Sequence, residues 1–270
     1  MRPTARPLGE EDRDTLAAFL TRGMPADAYL LDALEAGGLA GFYGAWSGKT
    51  LDGVAFQRRG AISASARTTP DAARSLAVAL SARDPWTSIV GPEEPCSLIV
   101  DAYRESQPFR VDRVQTFMSV ARGDPLGPGG SGVRRATPAD LDTLVPMIAA
   151  YRVEDGLSRR GDDHTAWIRT HARERIESGN LLVLEADGRL VFTGAFNFSG
   201  RFGSGLGGIY TEPSARGRGL ASRAVADMCR MALATGPVAT LHVAQGNAPA
   251  IRAYEKAGFR TVGRYRLTFR

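Results

Sequence analysis

Gly207-Gly-Ile-Tyr-Thr-Glu-Pro-Ser-Ala-Arg-Gly-Arg-Gly-Leu-Ala221 is a short apolar run that breaks at Pro213 and enters a glycine-rich turn. Gly217 and Gly219 let the backbone approach an anion closely and take angles that a side chain forbids, and Arg216 and Arg218 add positive charge. From Leu220 the apolar residues Ala221, Ala224, Val225, Met228, Cys229 and Ala232 recur at helical spacing, so a helix opens directly after the turn. Its free N–H groups and its dipole point at the turn, an arrangement that suits a pyrophosphate. A Walker loop needs Gly-Lys-Ser/Thr and a dinucleotide fingerprint needs a third glycine where Ser222 stands, so neither of those phosphate loops fits. On this stretch alone, a strand-to-helix connection without a ligand stays open.

Downstream lies Leu241-His-Val-Ala-Gln-Gly-Asn-Ala-Pro-Ala-Ile-Arg-Ala-Tyr-Glu-Lys-Ala-Gly-Phe259, which reads as a strand, a short helix and the start of another strand. The two blocks together resemble the GNAT superfamily of acyl-CoA-dependent N-acyltransferases. Arg216-Gly-Arg-Gly-Leu-Ala221 matches its Q/R-x-x-G-x-G/A signature, and Asn247, Ala250, Tyr254, Gly258 and Phe259 match its N-x-x-A-x-x-x-Y-x-x-x-G-F pattern. Each motif alone is weak and the ordered pair is specific. The resemblance implies that backbone groups of Ile209, Tyr210 and Thr211 pair with the pantetheine arm of acetyl-CoA. Arg216, Gly217, Arg218, Gly219, Leu220 and Ala221 then hold the pyrophosphate, with Asn247 in the same cofactor set. Tyr254 takes the place of the family's general-acid tyrosine.

Acetyl transfer to a primary amine needs a proton acceptor and a proton donor. A lysine-like amine of pKa ~10.4 is free in roughly one molecule in a thousand near neutrality, and a departing thiol of pKa about 8.5 is helped by a nearby donor. Tyr254 can donate; its alternative role is packing a strand against a helix. Many relatives place a carboxylate base where this chain has Gly208. Others place a glutamate twelve residues before the tyrosine, where His242 stands, and a histidine can serve as base near pH 7. Strand alternation could equally turn His242 outward. His164 and His171 read as a polar helix face, and with no third ligand at metal spacing no metal is expected. Glu154, Asp155, Asp162 and Asp163 cluster between two early helices, as a solvated loop or as a site for a cationic acceptor.

Working outward, Ala121-Arg-Gly-Asp-Pro-Leu-Gly-Pro-Gly-Gly-Ser-Gly132 is a poor candidate for any regular element. It divides the chain into residues 1–121, a linker at 122–131, and the domain at 132–270. In the second part Val133–Ala136 reads as a strand and Thr137-Pro-Ala-Asp140 caps a helix to about Tyr151. Asp163 to Ser178 makes another helix. Leu181–Glu185 and Leu190–Phe198 form a hairpin across Asp187-Gly188, and a glycine-rich turn follows at Ser199–Gly205. The first part reads as helix from Glu10 to Gly37 and strands at Gly41–Trp46, Leu51–Phe56 and Ala61–Ser65. Thr69-Pro70 then caps a helix to Ala82, and a strand at Ser88–Val90, a helix through Tyr103 and a strand pair across Phe109–Val120 complete it.

The halves share an order of elements, and Thr69-Pro70 and Ile99-Val-Asp-Ala-Tyr-Arg-Glu105 echo Thr211-Glu-Pro213 and Ala250-Ile-Arg-Ala-Tyr-Glu-Lys256. The expected fold is therefore α/β (α+β): two GNAT-like domains in tandem, each a mixed, mostly antiparallel sheet flanked by helices. The first is expected to be a degenerate copy without the CoA loop, the alternative being an unrelated α/β domain whose order of elements coincides. A net charge of +5 comes from 32 arginines and two lysines dispersed along the 270 residues, which argues against a nucleic-acid stripe yet favours an anionic cosubstrate. No stretch has signal-peptide layout or reaches membrane-span length, so a cytoplasmic enzyme is expected, with no membrane partner and with room for a homodimer. Cys96 and Cys229 read as buried thiols. A non-catalytic acyl-CoA sensor, its first half contacting a partner, is the competing class.

Overall fold

The structure, a computed structural model, describes residues 2–81, 86–103 and 109–270. The chain divides into two compact units, residues 1–117 with 262–270, and residues 118–261.

The first unit runs β1 (Thr4–Pro7), a 3-10 turn (Glu10–Asp12), α1 (Arg13–Thr21), α2 (Ala28–Gly37), β2 (Phe42–Ser47), β3 (Thr50–Arg58), β4 (Ala61–Ala64), α3 (Pro70–Ser81), β5 (Ser88–Pro92), α4 (Glu93–Tyr103) and β6 (Val111–Ala121). β1 to β4 pair antiparallel in sequence order, and β4 pairs parallel with β5. Alternation along the strands loads both faces. Tyr43, Ala45, Ala55 and Ile62 pack with Leu76 and Leu80 of α3 and Ile99 of α4. The Phe42 and Phe56 rings meet at a tilt, 4.4 Å between centroids, with Tyr29 of α2 edge-on to Phe56.

The second unit repeats the order: β7 (Arg134–Arg135), a 3-10 turn (Pro138–Asp140), α5 (Leu141–Glu154), α6 (Thr165–Glu177), β8 (Leu181–Ala186), β9 (Arg189–Gly200), β10 (Gly203–Thr211), α7 (Leu220–Thr235), β11 (Val238–Ala244) and α8 (Ala248–Ala257), followed by β12 (Arg260–Phe269), whose residues from 262 on belong to the first unit. β7 to β10 are antiparallel neighbours and β10 is parallel to β11. Leu144 of α5 and Ala172 and Ile176 of α6 cover Leu181, Val183 and Ala195 on one face. On the other, Ala224, Val225, Met228 and Cys229 of α7 and Tyr254 of α8 cover Leu182, Leu184, Phe192, Leu241 and Val243. Each unit is thus a mixed, mostly antiparallel sheet flanked by helices, in a tandem arrangement.

A local clasp marks the repeat. In the first unit Arg6 grips Asp12 through both terminal nitrogens at 2.6 and 2.8 Å, and the Gly9 N–H donates to the same carboxylate at 2.9 Å. In the second, Arg134 grips Asp140 at 2.8 and 2.9 Å and the Thr137 N–H donates at 2.7 Å. Both carboxylates are held below their usual range, chiefly by the arginine hydrogen bonds.

Several elements differ from the sequence expectation. The helix expected over Glu10–Gly37 is two helices, because a turn holding Gly23 and Pro25 cannot continue the hydrogen-bond ladder. The strand pair expected across Phe109–Val120 is the single strand β6. β1, with Arg6 and Pro7, carries too little apolar signal to be read as a strand, and it pairs with β2 over four positions. The turn at Ser199–Gly205 narrows to Arg201-Phe202 because the strands extend to Gly200 and from Gly203. Ala82, Arg104 and Glu105 lie outside the described residues. The units also differ from the division at 122–131. Residues 265–269 pair antiparallel with β5, which gives that strand a second neighbour and places the chain's last residues in the first unit. The Pro/Gly segment is strapped to the second unit: Gly127 N–H donates to Ala257 O at 3.1 Å, and Asp227 of α7 accepts from Gly130 and Ser131.

Candidate functional site

The site begins with a sheet that comes apart. β10 and β11 are parallel, yet they are in register only at Ser204 with Ala239 and Gly205 with Thr240, so Leu206 to Thr211 run on without β11 beside them. A strand edge released in this way exposes backbone donors and acceptors that an extended ligand can use.

Two β-bulges lie where the strands part. Between Gly205 and Leu206 the partner strand advances from Phe198 to Phe196, which makes Asn197 an extra residue on β9. Between Gly207 and Tyr210 the excess falls on β10, where Gly208 has φ +59°. A bulge of this kind needs a glycine in the left-handed region and re-aims its neighbours. The position at which the resemblance implies a carboxylate base is therefore occupied, for backbone reasons, by a residue with no side chain. Ile209 is the other residue of that bulge, and Tyr210 and Thr211 return to register opposite Thr193 and Phe192. The carbonyl of Thr211 is already taken, since it accepts from Arg216 Nε at 2.8 Å.

The glycine turn opens on α7 as the sequence implies. Gly217 and Gly219 have φ +76° and +72°, Gly219 is the N-cap, and Leu220 is the first helical residue. Among the described residues, the amides of residues 217 to 222 have no hydrogen-bond acceptor. A Cβ at Gly217 would meet nothing within 4 Å, and one at Gly219 only Ser222 Oγ at 4.0 Å, so the space over the turn is open. Open amides, open space and a helix N-terminus fit a pyrophosphate. The two arginines divide. Arg216 is engaged by both Glu154 oxygens, at 2.9 and 2.8 Å, and lies over the Tyr210 ring at 5.4 Å. Arg218 has Asp187 at 4.0 Å and keeps its guanidinium exposed.

Tyr254 projects from α8 into the core beside Leu241, Val243 and Phe259, at 7% exposure. Its hydroxyl has no hydrogen-bond partner among the described residues. Burial holds its pKa well above that of an ordinary phenol, with Tyr151 and Asp155 adding to the rise, so the group stays protonated. The corresponding Tyr103 of the first unit is different: its hydroxyl donates to Ala77 O at 3.1 Å. His242 is half-buried on β11, and strand alternation puts it with Thr240, opposite Leu241 and Val243. Asn247 is the N-cap of α8, accepting from Ala250 N–H at 3.2 Å.

The acidic cluster separates into two pairs. Asp162 and Asp163 serve loop turns, accepting from the Arg159 and Thr165 amides. Glu154 and Asp155 close α5 at the site, one on Arg216 and the other within electrostatic range of Tyr254. Three residues that sequence reasoning did not single out join them: Tyr151, Arg175 and Asn197. Arg175 donates to Asn197 Oδ1 at 3.1 Å, and Asn197 lies against Gly207. Neither a lone arginine in a helix nor an asparagine near a strand end carries a signal of its own. His164 instead precedes α6 and lies 3.6 Å from Asp162, and His171 stacks on Trp167. Among the described residues no three His, Cys, Asp or Glu side chains converge as a metal site. Burial pushes the Cys96 and Cys229 thiols up to about 12, and no described helix is long and apolar enough to cross a membrane.

A family model described as FR47-like protein, which is GNAT-related, matches residues 198–267. The fold is similar to that of a GNAT-family acetyltransferase from Colwellia psychrerythraea, at 15% identity and TM-score 0.59, covering 99% of this chain and 100% of the other. It is similar also to a GCN5-related N-acetyltransferase from Sphaerobacter thermophilus, at 17% identity and TM-score 0.57, covering 100% and 95%. A tandem GNAT protein from the clavulanic acid biosynthesis pathway matches at 14% identity and TM-score 0.52, covering 98% and 97%. No curated protein matches in sequence. The chain has the GNAT superfamily fold, in its tandem arrangement.

Proposed function

We propose that the second unit binds acetyl-CoA and passes its acetyl group directly to a primary amine. The observation that carries this reading is the parting of β10 from β11 beside a turn of unbonded amides. The released edge of β10 at Ile209 and Tyr210 suits an extended amide-bearing arm, and the turn at 216–221 suits a pyrophosphate. Acetyl-CoA supplies an activated thioester, whose carbon–sulfur bond breaks as the new carbon–nitrogen bond forms.

The residues divide the proton work. Tyr254, neutral and unbonded at its hydroxyl, donates its proton to the departing sulfur and regains one from water. His242 is the acceptor for the proton that the amine nitrogen sheds, directly or through water. The chemistry is direct, with no acyl group resting on the protein. The first unit is then a GNAT-like domain that has lost its CoA loop. Pro70 is itself the first residue of α3, whereas Pro213 precedes Leu220 by seven residues. Gly208, which offers no carboxylate, favours a second reading, an acyl-CoA sensor whose first half contacts a partner. Release of free thiol from acetyl-CoA that depends on added amine decides between them. Amine-dependent release supports transfer, and binding without release under every amine tried supports the sensor.

A further inference from the structure

We propose that Arg175 anchors a carboxylate on the acceptor, so that the amine acetylated at this site belongs to an amino-acid-like molecule. The inference rests on the proposed transfer reaction and names its acceptor class.

Arg175 is a half-buried guanidinium on α6 whose side-chain partner among the described residues is a neutral amide, Asn197 Oδ1 at 3.1 Å. Three other arginines of the same unit have carboxylates: Arg134 has Asp140, Arg169 has Asp142 and Arg216 has Glu154. A cation drawn out of water without a counter-charge is costly, and burial lowers the Arg175 pKa accordingly. Such a group gains most from an anion that arrives with a ligand, because a planar guanidinium binds a carboxylate through two parallel hydrogen bonds.

Its placement is what makes the anion part of the acceptor. Asn197 is the extra residue of the β9 bulge, and its side chain fills the space where a Cβ on Gly207 would stand, at the start of the unpaired stretch of β10. Tyr151 raises the pKa of both Arg175 and Tyr254, an electrostatic link between the anchor and the proposed donor beside the contact of Asn197 with Gly207. Asp155 is also within range of Tyr254. An acceptor with an ammonium and a carboxylate finds negative charge beside Tyr254 and positive charge at Arg175. The pyrophosphate turn has its own amides and Arg218, and does not need Arg175.

The test pairs L-amino acids with their carboxamides, compared at equal concentrations of free amine because the ammonium of a carboxamide is the more acidic, and assayed by thiol release from acetyl-CoA with the full chain. The expected result is a preference for the carboxylates that collapses in Arg175→Gln through a rise in KM of ~10- to 100-fold, with kcat changed far less. Arg175→Lys, which keeps the charge and loses the fork, is expected to restore part of the preference. Carboxamides accepted as well as carboxylates, or a preference that survives Arg175→Gln, overturns the anchor and leaves the transfer reading standing. No turnover with either series, while acetyl-CoA still binds, removes the transfer reading and the anchor with it.

Discussion

Tyrosine-to-phenylalanine changes at 103 and 254 form a crossed experiment, because the two buried tyrosines hold corresponding places on α4 and α8 and differ in what their hydroxyls do. Tyr103 donates to the Ala77 carbonyl at 3.1 Å. Its replacement removes one neutral hydrogen bond and leaves a buried carbonyl with one partner fewer, a loss of about 1 kcal/mol. The ring contact with Trp86, at 5.3 Å between centroids, is retained. Tyr254 has no such bond to lose, so its replacement should leave stability within ~0.5 kcal/mol. Removing its proton should slow acetyl transfer by roughly 10²-fold, equivalent to about 2.7 kcal/mol in the barrier. Denaturant unfolding gives the first quantity and thiol release under saturating substrates the second. Tyr103→Phe should lower stability and spare turnover, and Tyr254→Phe the reverse. Unchanged turnover in Tyr254→Phe, with chemistry limiting the rate, would refute the assignment of the hydroxyl as donor.

Two further outcomes are expected. Asp27 is buried in the first unit, accepts from Ser65 Oγ and from Ala66 N–H at 2.9 Å, and has its pKa raised from 3.8 to about 7, chiefly by burial. A carboxyl whose folded pKa is raised binds its proton more tightly in the folded state. Its contribution is therefore complete below pH ~4 and is lost as pH rises through about 7, by at most ~4 kcal/mol. Asp27→Asn should flatten that fall, and stability curves that stay parallel from pH 4 to 8 would contradict it. His242→Ala should abolish the acidic limb of kcat/KM and cost roughly 10²-fold. A limb that survives the change and tracks the acceptor's own pKa would mean that the amine enters already deprotonated.

What the sequence disclosed was local chemistry. Asp187-Gly188 reads as a hairpin turn because both residues must take positive φ, and they do, at +52° and +69°, with Ala186 opposite Arg189. Thr137 and Thr69 mark helix starts because a side-chain oxygen can satisfy an end amide, and Gly219 marks another because the turn before it runs left-handed. What stayed hidden depends on partners far along the chain. The bulges at Asn197 and Gly208 exist only in the register of β9 against β10. The pairing of residues 265–269 with β5 is set by which strand edge is free, a property that no window of sequence contains. Arg175 was invisible for the same reason. One of 32 arginines, it becomes distinctive only where the fold withholds a carboxylate from it.

The central claim, one acyl-CoA site per chain built on the 216–221 turn, is tested most directly by calorimetric titration of the full chain with acetyl-CoA. One equivalent should bind, and none in Gly219→Glu, where a side chain and a negative charge enter the open space over the turn. Strain at φ +72° should cost that variant only about 1 kcal/mol, so its thermal unfolding should remain cooperative. Two equivalents in the parent chain, or undiminished affinity in a folded Gly219→Glu, would contradict it.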